Sequence, residues 1–396
     1  GLGVNVADRK VFTKVSEFVI SDPAIGLRFE FPVSREPLSQ IRASRTAGGV
    51  RDMFVRRDPM AVASIDDLQD SLRQVALRTP GIEVIDNVEA TDIEHDEDGV
   101  TVRGRTSAGD RPRRASFRGD YVVVAAGRKS AAALGIDQKP RGETERLLSA
   151  VFEQPFNGRG LLTWVRDGKR SYRVLVGGGP NTTITADIPK DVDIGSQAEL
   201  TRFAFDAARR SGAFPAGSQL DLVRPPTGLE SRLNEATRAL LGPKGNERVF
   251  VVGDALATVT PWAGLGVNVA VHAGVEAGEV IGRLRRAGTP RARAAARHWF
   301  ADRMRSNTFL LHTQARMIDH ATHAVGLRNP LSEARTLLKD GHSTVRGALR
   351  VGGGTVSSRL RSLKPGGRRA PPARAKDSRP AGRATRRAPA ARRAPR

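Results

Sequence analysis

Apolar residues first recur at helical spacing over 64–78. Ile65, Leu68, Leu72, Val75 and Ala76 follow Ser64, and Asp67 stands three residues after that serine. A capping hydroxyl with an acid in the first turn predicts an amphipathic helix there. Ile82, Val84 and Ile85, then Val100 and Val102 beyond an Asp98-Gly99 turn, predict a strand and a hairpin. Tyr121 to Ala126 is a short unbroken apolar run, which predicts a buried parallel strand, and Val249–Val252 predicts another. Between 141 and 245, the runs Leu161–Val165, Tyr172–Val176 and Thr182–Asp187 read as strands, with a helix near 197–210. A glycine-rich loop after Val252 leads into a helix from about Val267 to Arg286. Thr289-Pro290 then sets an N-cap and a first-turn proline at the head of a long second helix. Residues 1–13 read as a strand, with Val4 and Val6 on one face and Asp8 at its end.

This order of elements predicts an α/β protein. A Rossmann-like nucleotide-binding domain is expected in two pieces, 1–140 and 246–288, interrupted by a mostly β substrate domain at 141–245. C-terminal helices follow over 289–358, and a basic tail over 359–396. At ~150 residues per domain, 396 residues suffice for two or three domains. The absence of cysteine excludes a disulfide scaffold, a cysteine zinc site and a thiol nucleophile. His312, His320 and His323 lack a carboxylate at metal-binding spacing, so no metal site is expected. No apolar run approaches the ~18 residues of a membrane span, and no signal peptide is visible, so a soluble, cytoplasmic protein is expected. The net charge is +23, but residues 359–396 hold 14 Lys or Arg against one acid, Asp377. Only two leucines, Leu360 and Leu363, and no aromatic residue accompany them. That composition predicts disorder and at most weak contact with nucleic acid or an anionic surface. It does not account for the folded body.

The richest chemistry lies at 249–282. A buried strand ends in Gly253-Asp254, and the carboxyl end of such a strand is where open α/β sheets bind ligands. Gly253 permits close backbone approach, and Asp254 offers acceptors suited to sugar hydroxyls. Pro261, Gly264, Leu265 and Gly266 form a stiff turn, and Val267 and Asn268 open the next helix. Its amides and the helix's positive end converge on one spot, a nest for an anion. Gly274, Gly278 and Gly282 leave one helix face bare, which predicts close packing against a sheet or a cofactor.

The segment 249–282 resembles the second FAD fingerprint of flavoprotein monooxygenases of the p-hydroxybenzoate hydroxylase fold. The resemblance implies that Asp254 holds the FAD ribitol and that Pro261–Asn268 lie along the flavin ring, whose reduced form carries negative charge. Asp120–Ser130 resembles the middle fingerprint, with Gly127 at its strand end and Ala126 in place of the usual aspartate. Gly3–Lys10 looks like the second strand of a dinucleotide fold, which implies that Asp8, with Arg9 beside it, binds the adenosine ribose. No G-x-G-x-x-G follows a strand near the start. The first βαβ unit is then expected upstream, ~25–30 residues, with weak FAD binding by the chain as given.

Within that fold, the closest resemblance is to the oxygenase component of styrene and indole monooxygenases. It rests on Ala7-Asp8-Arg9-Lys10, Ala126-Gly127-Arg128-Lys129, the stretch from Gly253 to Pro261, and Arg305-Ser-Asn-Thr-Phe-Leu310. The resemblance implies a two-component, FAD-dependent epoxidase. One oxygen atom would pass from a flavin C4a-(hydro)peroxide to an apolar alkene or aromatic, and a separate NADH:flavin reductase would supply reduced FAD. The missing aspartate at Ala126 agrees with that electron supply. No catalytic side chain is required by this chemistry, so none is assigned. Trp262 is a candidate for the substrate pocket, as are Phe152, Phe156, Trp164, Phe203 and Phe205. A single-component NAD(P)H-dependent hydroxylase is the near alternative. A further one is an inactive FAD-fold protein whose tail binds anionic partners.

Overall fold

The computed structural model describes residues 11–31, 61–96, 98–107, 112–167, 170–243, 245–258, 262 and 266–326. All belong to one compact unit, Gly1–Leu349. The chain opens with β1 (Phe12–Lys14), β2 (Glu17–Asp22), β3 (Leu27–Phe31), β4 (Ala61–Ala63) and α1 (Ile65–Arg78). There follow β5 (Val88–His95), β6 (Val100–Thr106), β7 (Arg113–Gly119), β8 (Val122–Val124) and α2 (Gly127–Ala133). Next come β9 (Gln138–Phe152), β10 (Arg159–Asp167), β11 (Arg170–Gly178), β12 (Thr182–Asp187) and α3 (Gln197–Arg210). The described residues end with β13 (Thr227–Ala236), β14 (Leu240–Leu241), β15 (Val249–Val251), β16 (Ala257–Thr258), α4 (Gly266–Arg286) and α5 (Pro290–Gly326).

The helix boundaries follow their local signals. Ser64 Oγ accepts from the Asp67 amide at the head of α1, and Thr289 Oγ1 accepts from the Ala292 amide at 3.2 Å at the head of α5. One expectation is corrected. Residues 82–86 form no strand, and Ile82 and Ile85 are exposed. The strand facing β6 is Val88–His95, in a three-stranded antiparallel sheet with β7. The apolar residues at 82–85 lack a polar alternation long enough to cover one sheet face, whereas 88–95 supplies it.

Two sheets position the site. In the smaller one, β15 lies between β14 and β8, and Val122–Val124 pairs in parallel with Val249–Val251. The outer edge of β8 has no strand partner among the described residues, and Val123 is 41% exposed, so β8 is less enclosed than the sequence predicts. Phe250 packs edge-on against Phe300 of α5, joining this sheet to α4 and α5 in one core. The larger sheet has eight strands, in the order β16-β13-β9-β12-β11-β10-β2-β3. It draws strands from 17–31 and 257–258 as well as from 138–236.

Strand alternation gives this sheet two different faces. Leu148, Ala150, Phe152, Val165, Val174 and Ile184 point to one side and pack beneath α3. Leu147, Leu162, Trp164 and Leu175 point to the other and meet Trp262. The bare face of α4 differs from expectation. A Cβ on Gly274 or Gly278 would meet nothing within 4 Å, and one on Gly282 would meet only the Arg286 side chain. The packed face is instead Val269, Ala273, Ala277, Val280 and Leu284. The stripe of glycines therefore packs against no sheet among the described residues.

Candidate functional site

The parallel strands β8 and β15 end side by side. The Val252 amide donates to Val124 O at 3.0 Å, so both chains leave the sheet at one level. Each exit is a glycine in the left-handed region, Gly127 at φ 73° and Gly253 at φ 58°. A side chain at either is strained by backbone alone. At Gly253 a Cβ would also stand 3.4 Å from Ala270 Cβ of α4. These two turns carry Arg128 and Asp254 into one hollow.

That hollow holds about 360 Å³ and is lined by Gly127, Arg128, Glu230, Ser231, Asp254 and Thr258, among others. Thr258 Oγ1 accepts from the Asn234 amide and donates to Arg232 O, both at 2.8 Å, which pins β16 to β13 along one wall. The Asp254 carboxyl makes no hydrogen bond or ion pair with the described residues. Partial burial pushes its pKa above the ordinary aspartate value, and the charge of Arg128 pulls it partly back. An uncommitted carboxylate that lines an open crevice can accept from ligand hydroxyls. Of the residues singled out from the sequence, Gly127 and Asp254 line this hollow and Gly253 precedes Asp254. Glu230 and Ser231 also line it but were not singled out, because they lie on β13 with no local motif and reach the hollow through strand pairing.

Other expected residues divide into three groups. Gly266 and Val267 begin α4, close in sequence to Asp254. Asp8, Arg9, Pro261, Gly264 and Leu265 lie outside the described residues, as does the side chain of Asn268. The tail at 359–396 lies outside them too. Trp262 is described and only 4% exposed. It joins Leu147, Leu162 and Trp164 on the sheet face away from α3. Arg173 stacks over its ring at 4.4 Å from the centroid. That guanidinium is itself held by Asp187 at 2.7 Å and Glu145 at 3.0 Å. The Trp262 Nε1–H is buried and has no acceptor among the described residues.

The aromatic candidates are sorted by the parity of their strands and helix. Phe152 lies in the α3-side core against Phe205 and Phe214, and Phe203 packs on Tyr172 there. Phe156 is buried but is not part of the Trp262 cluster. Of those candidates, Trp164 alone is brought to Trp262.

A crevice at the carboxyl ends of parallel strands, walled by a large mixed sheet, is the binding site of an α/β nucleotide-binding protein. A family profile described as an FAD binding domain matches residues 43–290, more than half of the chain. The chain belongs to this family, and its cofactor is FAD. The fold is similar to that of p-nitrophenol 4-monooxygenase PnpA from Pseudomonas putida DLL-E4, at 18% identity and TM-score 0.60 over 85% of this chain and 78% of that one. It is also similar to CmlS, a flavin-dependent halogenase, at 15% identity and TM-score 0.61 over 81% of this chain and 55% of that one. The flavin-dependent brominase Bmp2 matches at 15% identity and TM-score 0.55, over 84% of this chain and 78% of that one. At these identities the likeness is one of fold. No match was found among curated proteins.

The residues present fit the cofactor. An uncommitted Asp254 stands beside two left-handed glycines and an arginine, in a hollow open enough for part of a dinucleotide.

Proposed function

We propose that the protein is a flavin-dependent oxygenase that inserts one oxygen atom of O2 into a small apolar alkene or aromatic. The observation that carries this reading is the seat of Trp262. Eight residues after Asp254, it is buried on the sheet face that carries Leu147, Leu162 and Trp164. This seat supports an apolar wall beside the segment we assign to the cofactor. FAD, when bound and reduced, supplies the electrons that activate oxygen.

The chain's own residues bind, shape and dry the site. Asp254 would accept from the ribityl hydroxyls, with the backbone at Gly127 and Gly253 allowing close approach. Gly266, Val267 and Asn268 at the start of α4, with Pro261, Gly264 and Leu265 before them in sequence, would hold the isoalloxazine end. Asp8 and Arg9 would serve the adenosine end. Leu162, Trp164 and Trp262 exclude water from the substrate side. Arg173 is neutralised by Asp187 and Glu145, so it steadies Trp262 without presenting a bare charge to an apolar ligand. A buried N–H without an acceptor costs about 1–3 kcal/mol, and an acceptor atom on the bound ligand at Trp262 would relieve it. No titratable side chain is needed to donate a proton in this scheme. Electrons come from a separate NADH:flavin reductase, a reading supported by Ala126 at the position where the single-component resemblance expects an aspartate.

The test supplies reduced FAD from a free flavin reductase and NADH, with styrene or indole as substrate. Product should appear only with all components, and the protein alone should oxidise NAD(P)H slowly. Oxygen consumption that ends entirely in hydrogen peroxide, at one rate with or without substrate, would refute the oxygenase reading. Rapid NAD(P)H oxidation by the purified protein alone would refute the two-component part.

A further inference from the structure

A second hollow lies at the opposite ends of the same two strands. Asp120 and Tyr121 precede β8, Arg248 precedes β15, and the turn from α4 to α5 closes over them. The space is about 250 Å³, and Arg248, Arg285, Arg293 and Arg297 line it. We propose that this hollow binds a phosphoryl group, either of free phosphate or pyrophosphate or of the phosphate end of a nucleotide.

Charge is the first argument. Among the lining residues four guanidinium groups face a single carboxylate, Asp120. Glu247 adds one more acid, 3.5 Å from Arg297. The hollow stays positive after both are counted, and like charges gathered around one space repel each other without an anion among them.

Preorganisation is the second. Arg297 donates through Nε to Glu247 O at 3.1 Å and through Nη1 to Gly245 O at 2.8 Å. Arg248 donates through Nε to Asn246 Oδ1 at 3.2 Å and through Nη1 to Asp120 O at 3.3 Å, and lies over the Tyr121 ring. Arg293 donates through Nε to Ala287 O at 3.3 Å. Each bond fixes a planar fork that has five N–H donors in all. Arg285 has no hydrogen-bond or ion-pair partner among the described residues. Such forks match phosphoryl oxygens in pairs.

Placement is the third. Arg285 in the last turn of α4 complements that helix's negative end, which explains it without a ligand. Arg293 does not have that excuse. It stands in the opening turns of α5, where the helix dipole disfavours cations, and the first turn holds no acid to offset it. An anion between Arg285 and Arg293 reverses that penalty. Size sets the ligand. The volume lies below the roughly 300–1,000 Å³ of drug-sized pockets. One or two phosphoryl groups fit, and a nucleotide would leave its base outside.

The experiment is calorimetric titration of the full chain with phosphate, pyrophosphate and ADP at constant ionic strength. Pyrophosphate should bind the parent protein. Arg285→Ala/Arg293→Ala should weaken it about tenfold or more, and Arg285→Lys/Arg293→Lys should weaken it less, because charge remains while the forks are lost. Arg113→Ala/Arg114→Ala removes two charges from exposed β7 and should change nothing. The single variant Arg285→Ala, at an exposed and unpartnered residue, should show a smaller loss with an unchanged melting temperature. The flavin absorbance spectrum should stay the same throughout. For binding that the Arg285→Ala/Arg293→Ala variant loses, ADP about as tight as pyrophosphate identifies a free phosphate source, and ADP more than about tenfold tighter identifies a nucleotide; both uphold the site, whereas ADP binding that the variant keeps belongs to the FAD site. Equal losses in the β7 control and the Arg285/Arg293 variants would overturn it, as would no binding of any of the three anions.

Discussion

Asp254 separates a binding role from a structural one, because its two effects have opposite signs. Replacing it with alanine removes a carboxylate that makes no hydrogen bond to the described residues, so no partner is stranded. Burial raises its pKa in the folded protein, with Arg128 opposing. A folded acid with a raised pKa favours folding below its unfolded pKa, and that advantage is gone once pH exceeds the folded value. At neutral pH the partly desolvated charge therefore opposes folding of the apoprotein rather than supporting it, and Asp254→Ala should not lower the melting temperature. Binding runs the other way. A hydrogen bond to a charged acceptor is worth about 1.5–3 kcal/mol, so FAD affinity should fall roughly 10- to 100-fold. Asp254→Asn keeps a neutral acceptor worth roughly half as much, and should lose correspondingly less. Parent affinity should also weaken on acidification, starting above the ordinary aspartate pKa of ~3.9, and neither variant should show that dependence. Flavin fluorescence titration measures the affinities, and thermal melting without FAD measures stability. An alanine variant that binds within twofold of the parent would sink the reasoning. So would one whose melting temperature drops by more than about 4 °C, which would mean that the carboxyl has a structural partner.

Substitutions at three further positions test the surrounding frame. Gly253→Ala forces a left-handed residue and a Cβ 3.4 Å from Ala270; a loss of about 1–2 kcal/mol in urea denaturation, together with weaker FAD binding, is expected. Glu276 is buried and accepts from Arg303 Nε and Asn307 Nδ2, both at 2.9 Å, tying α4 to α5. Glu276→Ala should cost about 1–3 kcal/mol, and Glu276→Gln clearly less, by the same denaturation assay. Trp262→Ala removes a buried ring and the seat of Arg173, and about 3–5 kcal/mol of stability should go with it. Trp262→Phe should recover most of that stability but not the buried N–H, so an aromatic substrate bearing an acceptor atom should show a raised KM with stability nearly intact, while the KM of styrene should stay unchanged.

Legibility in the sequence followed the range of the interactions. Caps and strand ends are local, so Ser64, Thr289 and the Gly253-Asp254 turn stood where their neighbours predict them. Strands β9 and β13 were not foreseen, since each owes its stability to a partner far along the chain; Ser149 of β9, for example, lies opposite Thr227 of β13. The glycines of α4 carried a misleading signal. Spacing by four shows that one face is bare, but only tertiary structure shows that Ala273, Ala277 and Val280 make the packed face instead. The aromatic candidates divide between two faces for a related reason. Phe152 and Trp164 are both large and buried, so composition ranks them alike. Their registers decide the matter. Phe152 lies opposite Thr182, on the face beneath α3, and Trp164 lies opposite Arg173, on the face that meets Trp262. A shift of one residue in β10 would exchange Trp164 for Val165 at that wall. The composition of the proposed substrate wall is therefore a property of strand register, while the turn proposed to hold the cofactor is a property of a dozen consecutive residues. That difference in range is why the cofactor could be read before the wall could.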